Sequence, residues 1–568
     1  ARGCSSRIVT TRLFFHVAIA AGLMLPVRPA LAHELPHSFE DRPKAPPTVD
    51  PGPQAALLRI RIVDAASGQP VSATVSVNRG AQEPDDHPLV DFSLRNSANR
   101  HKGAIRLREI PYYFYADGRC DVRVPPGPAT VEVRKGYEYR PVEVTLAAAR
   151  WETVEVEVRL ERAIDMAALG LYSGDTHIHM ERTGRNDDTL LAVTSAKDVR
   201  YAYLLSMNTT GYDQGGAKYE SFRQHTGLGD RTEARRGPYH ITSGQEYRVG
   251  RFGHVTLALP DDYVPGSGPT ANVNQGPSLA IIADQTHALR GFIGLAHGGY
   301  FNQEADRLLL DGKMDFVELL QFGEYRSLGL AGWYDFLNIG YRLPMAGASD
   351  FPPTRELSSE MTYAWSASVP TPRSFAEALA AGRSFATSGP MLFLTVAGQK
   401  PGAILRYPEK FDGKLGVDLR VHSPQYPVRY LELIVNGTVV ERRFDPNGRS
   451  EWSLRHLLPL RGSSWIAART HGDAGTDAHT NPVYVYVGQA RPFNAASARQ
   501  IIARLDGSMA AIPNPEIVAR LGALKQELNA LIRDRRSALP LPPIGPRGTQ
   551  ESQPEFGCRN HSGSRGRA

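Results

Sequence analysis

Between Leu169 and about Leu392, short apolar runs alternate with helical stretches, and this grammar limits the possible folds more than any other feature of the chain. LGLYSGDTHIHM, VRYAYLLSMN, YHITSGQEYRV, HVTLALP, GFIGLAHGG, MDFVELLQF, RLPMAGASD and MTYAWSA read as strands. SLAIIADQTHALRG, GWYDFLNIG and SFAEALAAG read as helices among them. Alternation on this scale predicts an α/β barrel or a doubly wound sheet. The flanks have a different period. LLRIRIVDA, ATVSVNR, ATVEVRKGYEY and TVEVEVRL alternate every second residue between turns such as SGQP and PPGP, the pattern of a β-sandwich. The same pattern returns in VDLRVHS, RYLELIVNG, SSWIAART and PVYVYV.

A chain of 568 residues exceeds the ~100–200 residues of one core, so several modules are expected. The boundaries read as an export signal at 1–32, a Pro-rich linker at 33–54, a β-sandwich at 55–165, the α/β barrel at 166–392, a second sandwich at 393–490, a helical segment at 491–536 and a disordered tail at 537–568. The signal rests on Arg2, Arg7 and Arg12, the apolar stretch Leu13 to Leu25, and Ala30-Leu31-Ala32 before His33. It implies a periplasmic or secreted protein. No stretch approaches the ~20 apolar residues of a membrane span. Of the formal charge of +6, the signal holds +4 and residues 536–568 hold +3, leaving −1 for 33–535. The basic ends therefore do not mark a nucleic-acid-binding surface. Cys120 is the only cysteine between the signal and the tail, which excludes an internal disulfide and a Cys-based zinc site there.

The strongest local feature is His177-Ile178-His179. Residues two apart on a strand share a face, so both imidazoles can reach one ion. Imidazole suits zinc, iron and other late transition metals. Glu246, His254, His297 and Asp350 each fall at or beside another strand-like run, with a Gly or Ala one to three residues earlier that lets backbone approach a crowded centre. Four histidines and two carboxylates converging on one end of a barrel could hold one to three ions, and a carboxylate such as Glu246 can bridge two. Asp350 is the candidate for orienting or deprotonating a water, with plain ligation as the alternative. Glu318, mid-strand, and Asp175 are expected to stand behind the histidines and orient them.

The motifs GDTHIH (174–179), SGQEYR (243–248), LAHGG (295–299), LNIGYRLPMAGASD (337–350) and AGRSFATSGPML (381–392) come in an order that resembles the PHP-type metal-dependent phosphoesterase superfamily, and more closely its CehA/McbA-like metallohydrolase branch. The resemblance covers about 166–490. It implies a distorted (β/α) barrel of PHP type, flanked by the two sandwiches, that hydrolyses a small ester-like, carbamate-like or phosphoester substrate. By motif, His177 and His179 would bind the first metal, Glu246 would bridge, and His254, His297 and Asp350 would complete the shell. Arg248, Arg342 and Arg383 lie in these motifs and would either stabilise an anionic transition state or serve as structural ion pairs. Ser206-Met207-Asn208 stands where the superfamily has Asp-His, leaving Asn208 as a weak neutral oxygen donor, and Asp350-Phe351-Pro352 lacks the last His. These departures predict one or two divalent ions (zinc, manganese or iron) instead of three. They also leave open a non-catalytic exported binding protein with a degenerate metal site. A carbohydrate-active hydrolase, suggested by the flanking sandwiches alone, has no carboxylate pair to support it.

Overall fold

The period-two segments of the N-terminal flank form strands because each presents one apolar face. Along Ala56–Asp64, Leu58, Ile60 and Ile62 are buried, while Arg59 and Arg61 point outward and pair with Glu155 and Glu157 of the neighbouring strand. The structure, a computed structural model, describes residues 49–84, 113–210, 218–249, 252–264, 278–299, 303–352, 356–411, 413–460, 462–472 and 476–533. The expected signal, most of the linker and the tail lie outside these residues. All the described residues belong to one unit, Phe39–Ala568. No helix among them is long and apolar enough to cross a membrane.

Two N-terminal sheets are described. One has the order Arg119–Val124, Ala56–Asp64, Thr153–Leu160; the other has Phe114–Asp117, Ser72–Val77, Gly127–Arg134, Val142–Ala148. Leu58, Ile60, Val75, Val122, Val131, Val133 and Val158 fill a shared sandwich-like core. Cys120 is buried in it and unpaired, and burial pushes its thiol up to about 12, so it is inert at neutral pH.

The middle of the chain is mixed α/β. Leu171–Ile178 runs parallel to Tyr201–Thr210, and that strand runs parallel to Tyr239–Val249. Gly253–Ala258 and Phe292–Leu295 follow by antiparallel pairing. Phe316–Gln321 and Met345–Gly347 then continue in parallel. Met361–Trp365 pairs antiparallel with Leu171–Ile178, and Ile178 bridges Phe351, so the last strands return to the first. The expected helices are present as Leu279–Ala288, Gly329–Asn338 and Pro372–Ala380. Two more, Asp187–Ala196 and Ala305–Leu310, were not expected.

The C-terminal flank is β-rich but not detached. Met391–Val396 runs across the expected boundary at 392 and begins a three-stranded sheet with Lys414–His422 and Glu451–Pro459. Ser384–Thr387 pairs with both Met361–Trp365 and Asp477–Thr480, so one hydrogen-bonded ladder passes from the central sheet into the last strands. The helices Ala495–Ala511 and Pro515–Arg533 pack back onto the central helices. Arg504 bonds Asp306 at 2.9 Å and Asp335 at 3.1 Å, and Arg520 bonds Asp311 at 2.6 Å.

The N-terminal sheets are tied to the central sheet by a buried ion cluster. Arg162 reaches Glu138 at 2.6 Å and Asp198 at 3.0 Å. Tyr363 also donates to Glu138, and Tyr239 to Asp198. Burial, and then the Asp198 charge, push the Glu138 carboxyl up to about 7 against the pull of Arg162. Removing the guanidinium deprives two buried carboxylates of the cation that bonds both. Arg162→Ala is expected to destabilise the fold by about 3–5 kcal/mol, read as a lower urea midpoint at unchanged m-value.

Candidate metal centre

All six expected ligands meet at one end of the central sheet. His177 lies near the end of Leu171–Ile178 and His179 just beyond it. Glu246 is in Tyr239–Val249, whose next strand runs antiparallel and sets His254 opposite Arg248. His297 is in the turn Ala296–Gly299 that follows Phe292–Leu295, and Asp350 follows Met345–Gly347. His254 is partly exposed; the other five are buried. The approach needs small residues. A Cβ on Gly244 would lie 2.6 Å from the Leu257 carbonyl oxygen, so only glycine lets these two strands come this close beside Glu246.

The donor atoms form two overlapping sets. His177 Nε2 and His179 Nε2 are 3.1 Å apart. Asp350 Oδ1 lies 3.3 Å from the first and 3.4 Å from the second, and Glu246 Oε2 lies 3.3 Å from His179 Nε2. On the other side, Glu246 Oε1 is 3.0 Å from His254 Nδ1 and 3.8 Å from His297 Nε2, while Asp350 Oδ2 is 3.2 Å from His297 Nε2. A tetrahedral ion with bonds of ~2.0–2.1 Å holds its donors about 3.3 Å apart. The spacings fit such an ion on the His177/His179 side, and Glu246 and Asp350 each turn one oxygen to either side.

Proton positions sharpen the fit. His177 Nδ1 lies 2.7 Å from Glu318 Oε2, and His179 Nδ1 lies 3.2 Å from the Leu205 carbonyl. Both acceptors call for a proton on Nδ1, so in the neutral rings both Nε2 atoms are bare lone pairs. Two lone pairs at 3.1 Å repel unless a cation or a proton sits between them. Without an ion, a proton does so. Burial would lower His177, but the Glu318 and Asp350 carboxylates outweigh it and push it up to about 10. Glu246 is held well below the usual carboxylate range against its burial by His254, His179 and His177. Asp350 is likewise lowered against its burial by His177, His179 and His297.

His254 differs from the rest. Arg248 Nε donates to His254 Nε2 at 3.1 Å, which leaves Nδ1, the atom facing Glu246, as the proton carrier of the neutral ring. Burial and the Arg248 charge push His254 down to about 3. Its Nδ1 becomes a ligand only if the Arg248 bond is given up.

The residues behind the ligands lie as follows. Glu318 bonds the His177 ring and also accepts from Thr176 Oγ1 at 2.8 Å. Asp175 does not touch that ring. It accepts from the His177 backbone N–H, from Ser349 N and Oγ, and from Ser358 Oγ, binding the His177 strand to the Asp350 loop. Arg248 stands beside the cluster, with Nη1 2.9 Å from Met207 Sδ. Arg342 and Arg383 are not brought to it. Arg383 is exposed, and its carbonyl accepts from Trp365, which pairs with Leu171, six residues and so ~20 Å of strand before His177. Arg342 precedes Met345–Gly347 at its opposite end and acts on Tyr484 and Tyr486. The Asn208 side chain lies outside the described residues.

Four contributors were not foreseen. Thr256 Oγ1 is 3.2 Å from His177 Nδ1, and Ser349 and Ser358 brace Asp175 as described. The Phe222 ring lies 5.4 Å from that of His179. Only Ser349, beside Asp350 in a motif, carried a sequence signal. His297 and Asp350 both sit at φ +51°, a region that strains non-glycine residues by about 1–3 kcal/mol and clusters at functional sites.

No protein-family profile and no curated protein matches the chain. Among solved structures, a lytic polysaccharide monooxygenase from Jonesia denitrificans, known from neutron crystallography, is similar over 16% of this chain and 61% of that one, at 23% identity and a TM-score of 0.12. So slight a likeness carries no argument about fold or function.

Two outcomes follow for the purified protein. Glu318→Gln is expected to weaken zinc binding about 10- to 100-fold while the His177→Ala/His179→Ala variant loses it, measured by chelator competition and elemental analysis. Because an ion must displace the His177 proton, zinc affinity is expected to rise with pH, by up to about tenfold per unit between about pH 6 and 8 for one proton displaced.

Proposed function

We propose that this protein is an exported metal-dependent hydrolase that cleaves an ester-like, carbamate-like or phosphoester bond, on a distorted (β/α) barrel of PHP type related to the CehA/McbA-like metallohydrolases. The reading rests above all on the two facing Nε2 atoms at 3.1 Å, with two carboxylates in reach of both. A structural core does not need that arrangement, since buried histidines are ordinarily satisfied by backbone or a single acid.

One or two divalent ions fit the two donor sets, zinc, manganese or iron by ligand type. A divalent ion there supplies a water of lowered pKa and polarises a carbonyl or phosphoryl oxygen. The side chains do the rest. His177 and His179 would hold the first ion, with ring orientations fixed by Glu318 and the Leu205 carbonyl. Glu246 spans both positions. Asp350 spans them too, and its side chain is 8% exposed against 3% for Glu246, so we assign Asp350 the task of orienting the attacking water and taking its proton. Arg248, at the rim of the cluster, is placed to meet negative charge that develops on the substrate.

The test is turnover of p-nitrophenyl acetate, an aryl carbamate, and p-nitrophenyl phosphate mono- and diesters by zinc- or manganese-loaded protein. Activity is expected to vanish with EDTA and return with metal, and Asp350→Asn is expected to lower kcat by about 10²- to 10⁴-fold without unfolding the protein. Metal-loaded protein inert toward every class would favour the non-catalytic binding protein instead.

A further inference from the structure

Phe322 and Gly323 form the two-residue turn between Phe316–Gln321 and Glu324–Tyr325, with Gln321 paired to Glu324. Their φ angles are +57° and +76°. Positive φ at both central positions marks a type I′ turn, whose first position favours Asn, Asp or Gly. Phenylalanine carries the full steric penalty of left-handed backbone and has no polar group to offset it. Local preference therefore does not account for the residue.

Its surroundings do. The ring centroid lies 5.8 Å from that of His297 with the planes tilted by 35°, and the Arg326 guanidinium carbon lies 5.0 Å from the ring centroid. Phe322 is 7% exposed, packed between a ligand histidine and a cation. The same segment is clasped to the His297 turn through backbone. Leu328 N donates to Gly298 O at 3.1 Å, and a Cβ on Gly298 would overlap the Arg326 carbonyl oxygen. Gly323 N donates to the buried Glu360 carboxylate at 2.6 Å, which holds the turn down. Glu318 aims His177 and the Leu205 carbonyl aims His179 by hydrogen bonds. His297, on a strained backbone of its own, is packed against a ring.

We propose that Phe322 is a positioning residue for the His297 side of the centre, kept at a position where the turn prefers asparagine because its ring fixes the direction of His297 Nε2. The inference rests on the metal-centre reading above. It predicts that loss of the ring weakens one metal position and leaves the other as it is.

The experiment compares wild-type protein with Phe322→Asn and Phe322→Tyr, using apo thermal unfolding, zinc titration against a chromophoric chelator, and the absorption spectrum of cobalt-loaded protein. Phe322→Asn suits the turn but gives up a buried ring, so its apo Tm is expected to fall, and the decisive readout is metal binding. Its first zinc is expected to bind as in wild type, while the second binds about 10- to 100-fold more weakly and the cobalt spectrum of the second equivalent changes. Phe322→Tyr is expected to restore both. Phe322→Asn with two wild-type affinities and a wild-type spectrum overturns the proposal. So does a fall in apo Tm without a change in binding, which would make the ring merely structural. Wild-type protein that takes up no ion sinks the underlying metal reading itself, and one that takes up a single ion unaffected by the substitution sinks this proposal alone.

Discussion

Two imidazole nitrogens face each other across 3.1 Å with their other nitrogens already committed, one to a buried carboxylate and one to a carbonyl. That arrangement is unfavourable for neutral rings in a dry interior, where the attraction of water is missing and like dipoles point together. Only positive charge between them relieves it. Much of the surrounding architecture follows from this demand. Glu246 and Asp350 bring negative charge to the same point, Glu318 raises the basicity of His177 from behind, and Asp175 binds the strand of one ligand to the loop of another. A cation between His177 and His179 would meet these donors already in position, while His254 would first have to give up its bond to Arg248.

How much of this could be read from the amino-acid order depended on whether the signal was local. The sandwich-like N-terminal strands were legible because their burial alternates residue by residue, as in Ala56–Asp64. The six-residue cluster was legible because His177 and His179 stand two apart on a strand and the other four fall at or beside apolar runs with a Gly or Ala one to three residues earlier. Asp187–Ala196 was not, since Asp187-Asp188 opens it without an apolar stripe and seven of its ten residues are buried, which removes the amphipathic period. Arg342 and Arg383 lie away from the cluster, because motif membership says nothing about which end of a strand a residue occupies. Direction along the strand decides that, and it became visible only through the pairing of Trp365 with Leu171. Thr256 and Ser358 reach the site by non-local pairing, for which a single sequence has no marker. The protonation of His254 was equally hidden, because it depends on Arg248, a residue from the opposite strand.

Fourteen non-glycine residues among those described have positive φ, and several of them lie at the cluster or against it. His297, Asp350 and Phe322 share left-handed φ values near +50° to +57°. Asp and His enter this region more often than most non-glycine residues, whereas Phe322 has no polar group to favour it, and all three touch the cluster or a ring that belongs to it. Local conformation has been subordinated to the placement of side chains, which is where disagreement between local preference and global fold is expected in a functional protein.

The ladder that passes from Met361–Trp365 through Ser384–Thr387 to Asp477–Thr480 bears on how the chain acquires its shape. Until Asp477–Thr480 is made, Ser384–Thr387 exposes one row of unpaired amides and carbonyls, a template for the wrong partner. About ninety residues beyond Thr387 must therefore be made before the central sheet gains this neighbour. A nascent chain halted short of them would hold every metal-facing side chain and still lack a closed edge. The central sheet of such a protein gains its last edge strand late in synthesis, when Asp477–Thr480 covers Ser384–Thr387.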